Sequence, residues 1–417
     1  MARKTERNII NAIDVGTSKA LAVIAAADEQ HELDVLGVGV ADTEGMRKGM
    51  VTDIDRVARS IYRAVSAAEK MAQHAVEAAY ISVTGAHLTT NTAHGVTSVM
   101  NPHSITAEDT QRAVESTRGL RLPPDKEIID IFEQEYAVDG HEGIREPVGM
   151  SGSRLDVQVQ ILTGASAPIH NLVKCLARLD ISVLGLIPSA MASGEAALND
   201  DEKEIGVVLM DIGGGATDVA LYKRGAMAHA FVIPVGGDHI DNDIAIGLST
   251  SIGEARRIKL KYGNADPQAD HDAQPVEMRL VGREETSQVP QSILTEIIHP
   301  RVEEIFELAL KQLEEKEPMV AIPAGVVLTG GVAHLPGLAR VAGDVMRTHI
   351  RVGAPRGVRS NHEKVSGPEH ATAVGVARCA ALRHIAPAEP PVSLWQRAAS
   401  LVQRAARGIF KEYNPGR

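Results

Sequence analysis

Residues 205–225 read IGVVLMDIGGGATDVALYKRG, and residues 8–24 read NIINAIDVGTSKALAVI. Each stretch is an apolar strand, a small-residue turn and a second apolar strand. Asp14-Val15-Gly16 and Asp211-Ile212-Gly213 hold the same place, directly after the first strand. A single turn of this kind is most often an ordinary hairpin. Two of them on matched hairpins predict a duplicated α/β fold with halves that face each other. A third turn, in PAGVVLTGGVAHLPGL (323–338), again follows a buried strand and precedes a helix start.

Working outward from the first hairpin, Ile54, Val57, Ile61, Val65, Ala68, Met71 and Ala75 recur at helical spacing and predict a long amphipathic helix over 54–78. Ala79 to Val83 reads as a strand. The texture then changes over 86–162, with four histidines (His87, His94, His103, His141), Pro123-Pro124, a helical stretch from Thr106 to Ser116 and the alternating strand LDVQVQIL (155–162). This reads as an inserted α+β module. Helix and strand signals alternate from Ala167 to Leu198. Residues 264–290 are polar and are expected to contain a loop. Residues 293–313 and 371–383 read as helices. From Ala386 a Pro-rich linker, APAEPPVS, leads to LWQRAASLVQRAARGIFKEY (394–413).

At 417 residues, two to four domains are expected. Aromatic residues make up 3% against 44% hydrophobic overall, so the cores must be built from Ala, Val, Leu and Ile. A net charge of −11 argues against a broad nucleic-acid surface. Two cysteines, Cys175 and Cys379, leave no disulfide framework and no cysteine-based zinc site, and both read as small buried hydrophobes. No signal peptide or membrane-spanning run is expected.

Glycine turns after buried strands let backbone N–H groups surround phosphate oxygens. Gly16, Gly213, Gly214, Gly215, Gly330 and Gly331 are the candidates here. Thr17, Ser18 and Thr217 add hydroxyls. Lys19 adds a positive charge, or is simply a solvated surface lysine. Asp14 and Asp211 suit a hydrated Mg²⁺, which keeps waters and uses few carboxylates. Asp218 reads as a turn stabiliser. GxxxxGK[ST], strand-borne GxGxxG, GxSxG and HExxH are absent from the chain. The histidines of 86–141 show no ligand spacing and are expected at the surface.

Residues 394–413 carry Leu394, Trp395, Ala398, Leu401, Val402, Ala405, Ile409, Phe410 and Tyr413 on roughly one helical face, with Arg397, Arg404, Arg407 and Lys411 on the other. Such a helix is about 30 Å long. Charges at the centre of a membrane span cost roughly 2.5–3.5 kcal/mol each, so an interfacial position on anionic lipid is expected. A groove on a partner protein uses the same amphipathic physics.

AIDVGTSK, MDIGGGATDVAL and VVLTGGVAHLPGL resemble the two phosphate motifs and the adenosine motif of the actin-like ATPase superfamily, and IPSAMASGEAAL and ATAVGVARCA resemble its connecting helices. With the inserted module and the tethered C-terminal helix, the sequence resembles the bacterial cell-division FtsA family within it. The resemblance implies an actin-like, ribonuclease-H-type duplicated fold. Its first half (1A) would be 8–85, 163–187 and 371–385, the inserted module (1C) 86–162, the second half (2A) 188–232 and 306–370, and a peripheral subdomain (2B) 233–305. Residues 386–393 would be the linker and 394–413 the membrane-targeting helix. It further implies ATP and Mg²⁺ as ligands and at most slow hydrolysis, for which no general base is assigned. Implied partners are other copies of the chain in filaments, anionic lipid at the cytoplasmic face of the membrane at the division site, the C-terminal tail of FtsZ, and further division proteins. Arg301 in IIHPRVEE is the candidate for the FtsZ tail. The resemblance also implies Lys259 beside the adenosine ribose, with a Glu three residues earlier. Arg256 stands there instead, and Glu254 is about 200° round the helix from it. An actin-fold kinase or a pilus-assembly adaptor would share the core, and the amphipathic tail separates them from this reading.

Overall fold

The computed structural model describes residues 8–28, 32–119, 122–269, 275–282, 286–316, 322–359 and 365–385. Two sheets have the same internal order. In the first, Asn8–Val15 and Lys19–Ala27 form a hairpin, Leu33–Asp42 continues it antiparallel, and Ala78–Val83 and Ser182–Pro188 add on the other side of Asn8–Val15, both in parallel register. In the second, Val207–Ile212 and Thr217–Lys223 form the hairpin and Ala226–Ile233 continues it. Val326–Thr329 and Ile350–Val352 add in parallel. The register is duplicated too, since Asp14 pairs with Leu21 and Asp211 with Asp218.

The strands Val207–Ile212 and Lys19–Ala27 are buried almost throughout, which explains their unbroken apolar runs. Helix Ile54–Ala72 covers the first sheet. Asp53 caps it by accepting the Arg56 N–H at 3.0 Å, and a left-handed Gln73 ends it. Its buried face is Val57, Ile61, Ala64, Val65 and Ala68, each Val or Ile contributing about 1.5–3 kcal/mol by burial. Met71 is 37% exposed and Ala75 lies beyond the end, so the helix is shorter than its apolar spacing suggested.

The inserted module is a four-stranded sheet, ordered Thr89–Ser98, Arg154–Ala165, Lys126–Val138, His141–Ile144, with helix Ala107–Ser116 against it. Leu155, Val157, Val159 and Ile161 alternate into its own core with Ile105 and Tyr136. The helix begins at Thr106, which forms a reciprocal capping box with Asp109. His94, His103 and His141 are exposed.

Expected boundaries fall inside continuous elements, and one strand joins the other half. Strand Arg154–Ala165 runs past residue 162, with Thr163 paired to Thr89 and Ala165 to Lys126. Helix Gln291–Lys316 runs through the 305/306 boundary. Val358–Arg359, placed by sequence in the second half, pairs with Leu33–Asp42 at the edge of the first sheet. The polar stretch 264–290 contains a hairpin, Val276–Arg279 with Thr286–Val289. Helix Ala371–Ile385 returns to the first half and packs on Ser189–Ala197. Cys175 and Cys379 are buried, and desolvation pushes both thiols up to about 12.

Among the described residues no helix is long and apolar enough to cross a membrane. The linker 386–393 and the helix 394–413, with Leu394, Trp395, Arg397, Leu401, Val402, Arg404, Arg407, Ile409, Phe410 and Lys411, lie outside the described residues.

Candidate functional site

The two hairpin turns face each other across a cleft of about 360 Å³. They close alike, with Gly16 N–H donating to the Lys19 carbonyl at 3.0 Å and Gly213 N–H to the Ala216 carbonyl at 2.9 Å. The intervening residues are complementary. A Cβ on Gly214 would lie 1.8 Å from Ser18 Oγ, and one on Gly215 would lie 2.4 Å from Thr17 Oγ1. The first turn carries hydroxyls, so the second must carry hydrogens. Gly237 and Asp238, opening helix Gly237–Gly247, donate their N–H groups to the Gly213 and Gly214 carbonyls at 2.9 and 2.7 Å. Ser18 Oγ donates across the cleft to Asp238 at 3.1 Å, and Gly49 N–H donates to Thr17 Oγ1 at 3.1 Å. At the third turn Gly330 has φ +86°, and a Cβ there would lie 2.4 Å from Asp211 Oδ1.

Of the residues expected in a nucleotide site, Asp14, Gly16, Thr17, Ser18, Lys19, Asp211, Gly213, Gly214, Gly215, Lys259, Gly330 and Gly331 line this one cleft. Thr217 does not. It is fully buried and its hydroxyl donates to the Val235 carbonyl at 2.8 Å, because strand alternation turns it away from the turn it follows.

Three carboxyls sit at the cleft floor, each held by hydroxyls from elsewhere in the chain. Ser82 donates to Asp14 at 2.6 Å, Thr84 to both oxygens of Asp218 at 2.7 and 2.8 Å, and Ser193 and Thr372 to Asp211, the latter at 2.7 Å. Desolvation lifts the Asp14 carboxyl to about 6, with the Ser82 hydroxyl opposing and the charge of Asp211 adding. Desolvation also raises Asp211, and raises Asp218 well above the usual range with help from Asp211. Removing like charges from water without a cation is unfavourable, so the cluster favours a bound one. Among the described residues no three His, Cys, Asp or Glu side chains converge to hold a metal unaided.

This sets a pH dependence. A carboxyl with a raised pKa in the folded state stabilises the fold fully below its unfolded value, and that contribution is lost as pH rises through the folded value. The free protein is expected to lose Tm between about pH 4 and 6 relative to Asp14→Asn. Fluorimetric melts of both proteins measure this, and parallel curves would refute the assignment.

Arg256 and Lys259 lie one turn apart on helix Ile252–Tyr262. Arg256 donates to Asp238 at 2.7 Å and Asp241 at 3.1 Å. Lys259 donates to the Gly237 carbonyl at 2.8 Å and pairs with Asp241 at 2.6 Å. Arg256 thus neutralises the acidic helix start that Ser18 also touches. Glu254 faces elsewhere, onto Arg257. Arg301 forms a two-pronged pair with Asp243, at 2.6 and 3.1 Å, and also meets Glu304. Sequence reasoning missed Ser82, Thr84, Ser193, Thr372, Asp238 and Asp241. Ser82, Thr84, Asp238 and Thr372 stand at the end of an apolar strand or the start of a helix, and Ser193 and Asp241 lie inside helices with no local signal.

The family described as Cell division protein FtsA matches residues 208–375, and the SHS2 domain inserted in FTSA matches residues 85–163. The chain is 36% identical over 376 residues to the cell division protein FtsA of Neisseria meningitidis serogroup B, covering 90% of this chain and 91% of that one. To FtsA of Escherichia coli K12 it is 31% identical over 421 residues, covering 99% and 100%. A chain of the PilM-PilN type IV pilus biogenesis complex superposes with TM-score 0.63 at 17% identity, over 91% of this chain and 99% of that one. MreB5 of Spiroplasma citri bound to ADP superposes with TM-score 0.54 at 12% identity, over 89% and 95%. These structures share the actin-like fold. With its duplicated sheets, its inserted module and relatives matched over nearly their whole length, the chain belongs to the FtsA family of cell division proteins.

Proposed function

We propose that the chain is a membrane-tethered, ATP-binding filament protein that anchors FtsZ filaments to the cytoplasmic face of the cell membrane at the division site. The observation that carries the ATP reading is the pair of interlocking turns. Their amides, the hydroxyls of Thr17 and Ser18 and Lys19 suit a polyphosphate, and the uncompensated carboxyls of Asp14 and Asp211 suit Mg²⁺ held mostly through water. Bound Mg-ATP would supply the cation and the anion that the cleft is shaped for. Thr17 and Ser18 would orient phosphate oxygens, and Asp14 and Asp211 would accept hydrogen bonds from metal-bound waters. The hydroxyl donors take one oxygen each of Asp14 and Asp211 and both of Asp218, and no general base for hydrolysis is assigned. Binding between the halves favours one relative orientation, which makes nucleotide a switch for self-association.

The membrane reading rests on residues 394–413, where apolar and basic residues segregate and the sole Trp stands on the apolar face. The FtsZ tail would dock on the 233–305 subdomain, with Arg301 as the candidate contact. A tail carboxylate there has to compete with Asp243. Membership of the family supports a role among division proteins generally.

Two experiments test this. Calorimetric titration of the full chain with Mg-ATP is expected to show one site, weakened by EDTA. Co-sedimentation with anionic liposomes is expected to pellet the wild type and leave Trp395→Glu soluble. No lipid binding by either would remove the tether and reopen the kinase and pilus-adaptor readings.

A further inference from the structure

The cleft has two chemically different ends. The glycine turns and carboxyls make one. The other is an apolar wall of Val332, Leu335, Pro336 and Leu260, which is 77% exposed. An aliphatic side chain held open at the rim of a polar cleft suits the face of a flat ring. No atom lies within 4 Å of the position a Cβ on Gly331 would take, so there is room beside the wall.

Two short 3-10 turns, Gly331–His334 and Pro368–His370, meet at this end. The second is pinned to the first, since Gly330 N–H donates to the Pro368 carbonyl at 3.1 Å and Thr329 Oγ1 donates to it at 3.0 Å. Across the junction His334 Nε2 meets Glu369 Oε2. Both side chains line the cleft. The Glu369 carboxylate folds over Gly367, where a Cβ would come within 2.2 Å of Oε2. Burial works against its charge, but the His334 contact and its own backbone hold the carboxyl below its ordinary range. The group is therefore a fixed acceptor, and its second oxygen, Oε1, lies 3.6 Å from His370 Nδ1, beyond hydrogen-bond distance.

We propose that Glu369, braced by His334, reads position 6 of a purine base and selects the amino form over the oxo form. This rests on the reading of the cleft as an ATP site. Adenine carries an N–H₂ donor at position 6, whereas guanine and hypoxanthine carry an oxygen acceptor there. A carboxylate only accepts, so it bonds the first and repels the second.

The test is calorimetric titration of the full chain with Mg-ATP and with Mg-inosine triphosphate. The wild type is expected to prefer ATP by about tenfold or more, the usual size of a hydrogen bond to a charged group. In Glu369→Gln the amide can turn its N–H₂ toward an oxo group, so the preference should fall toward parity while binding persists. Gly367→Ala keeps the charge but displaces the carboxylate, and should also lower the preference. An unchanged preference in Glu369→Gln overturns this proposal and leaves the ATP site standing. Should Glu369→Gln bind neither nucleotide, Gly367→Ala decides, a lowered preference supporting the proposal and an unchanged one overturning it. If the wild type binds neither nucleotide nor inorganic tripolyphosphate, the ATP reading itself fails, and base selection with it.

Discussion

Gly214→Val is expected to abolish Mg-ATP binding. A Cβ at this position would lie 1.8 Å from Ser18 Oγ and 3.0 Å from Ser18 Cβ. Neither turn can retreat cheaply. The Gly214 carbonyl accepts the Asp238 N–H at 2.7 Å, Gly213 N–H is tied to Ala216, and the first turn is closed by Gly16 and Lys19. Rotating the Ser18 hydroxyl away gives up its bond to Asp238 and still leaves Ser18 Cβ 3.0 Å from the new Cβ, so the valine methyls must part the two turns, which separates the donors that the phosphates would share. Losing two or more hydrogen bonds to a charged ligand weakens binding by on the order of 100-fold or more. The measurement is calorimetric titration with Mg-ATP, with circular dichroism to show that the variant is folded. Affinity within about threefold of wild type, a difference of under 1 kcal/mol, would sink the two-turn clamp.

The second large effect concerns stability. Gly375→Val is expected to destabilise the first half severely. Gly375 lies in Ala371–Ile385, where a Cβ would sit 1.8 Å from the Ala192 carbonyl oxygen and 2.3 Å from its carbon. The contact is backbone on helix, and the small residues Ala192, Ala373 and Ala377 around it are fully buried. No rotamer change can absorb it. Overpacking typically costs about 1–3 kcal/mol and more where backbone must move, and the expected fall in Tm is at least about 5 °C. The same displacement would carry Thr372 and Ser193 away from Asp211 and loosen the cleft floor. Leu382→Ala, on the exposed side of the same helix, is the control and should melt near wild type. Equal melting of Gly375→Val and wild type would refute the packing argument.

The unequal glycine content of the two turns shows how much of the site was legible beforehand. DVGTS and DIGGG could be matched as equivalent turns from their place after apolar strands. That one needed glycine because the other carries Thr17 and Ser18 emerged only when the two were seen in contact. Thr217 illustrates the opposite error. Its position beside the glycine run made it a candidate hydroxyl, but it is already the first residue of a strand and faces the core. Arg256 was legible as a departure from the expected Glu. Its role, holding Asp238 and Asp241, required the adjoining helix.

The sequence by itself determined the main elements and their duplication, along with the inserted module. Those signals are local, because hydrophobic period and turn chemistry act within a few residues. Only the tertiary structure decided which hydroxyl serves which carboxyl. Ser82 reaches Asp14 across 68 residues, Thr84 reaches Asp218 across 134, and Thr372 reaches Asp211 across 161. It also sent Val358–Arg359 to the first sheet and set His334 against Glu369. The physical reason is that a buried polar group must find a partner wherever strand ends and helix starts converge, and that convergence is a property of the packed sheets.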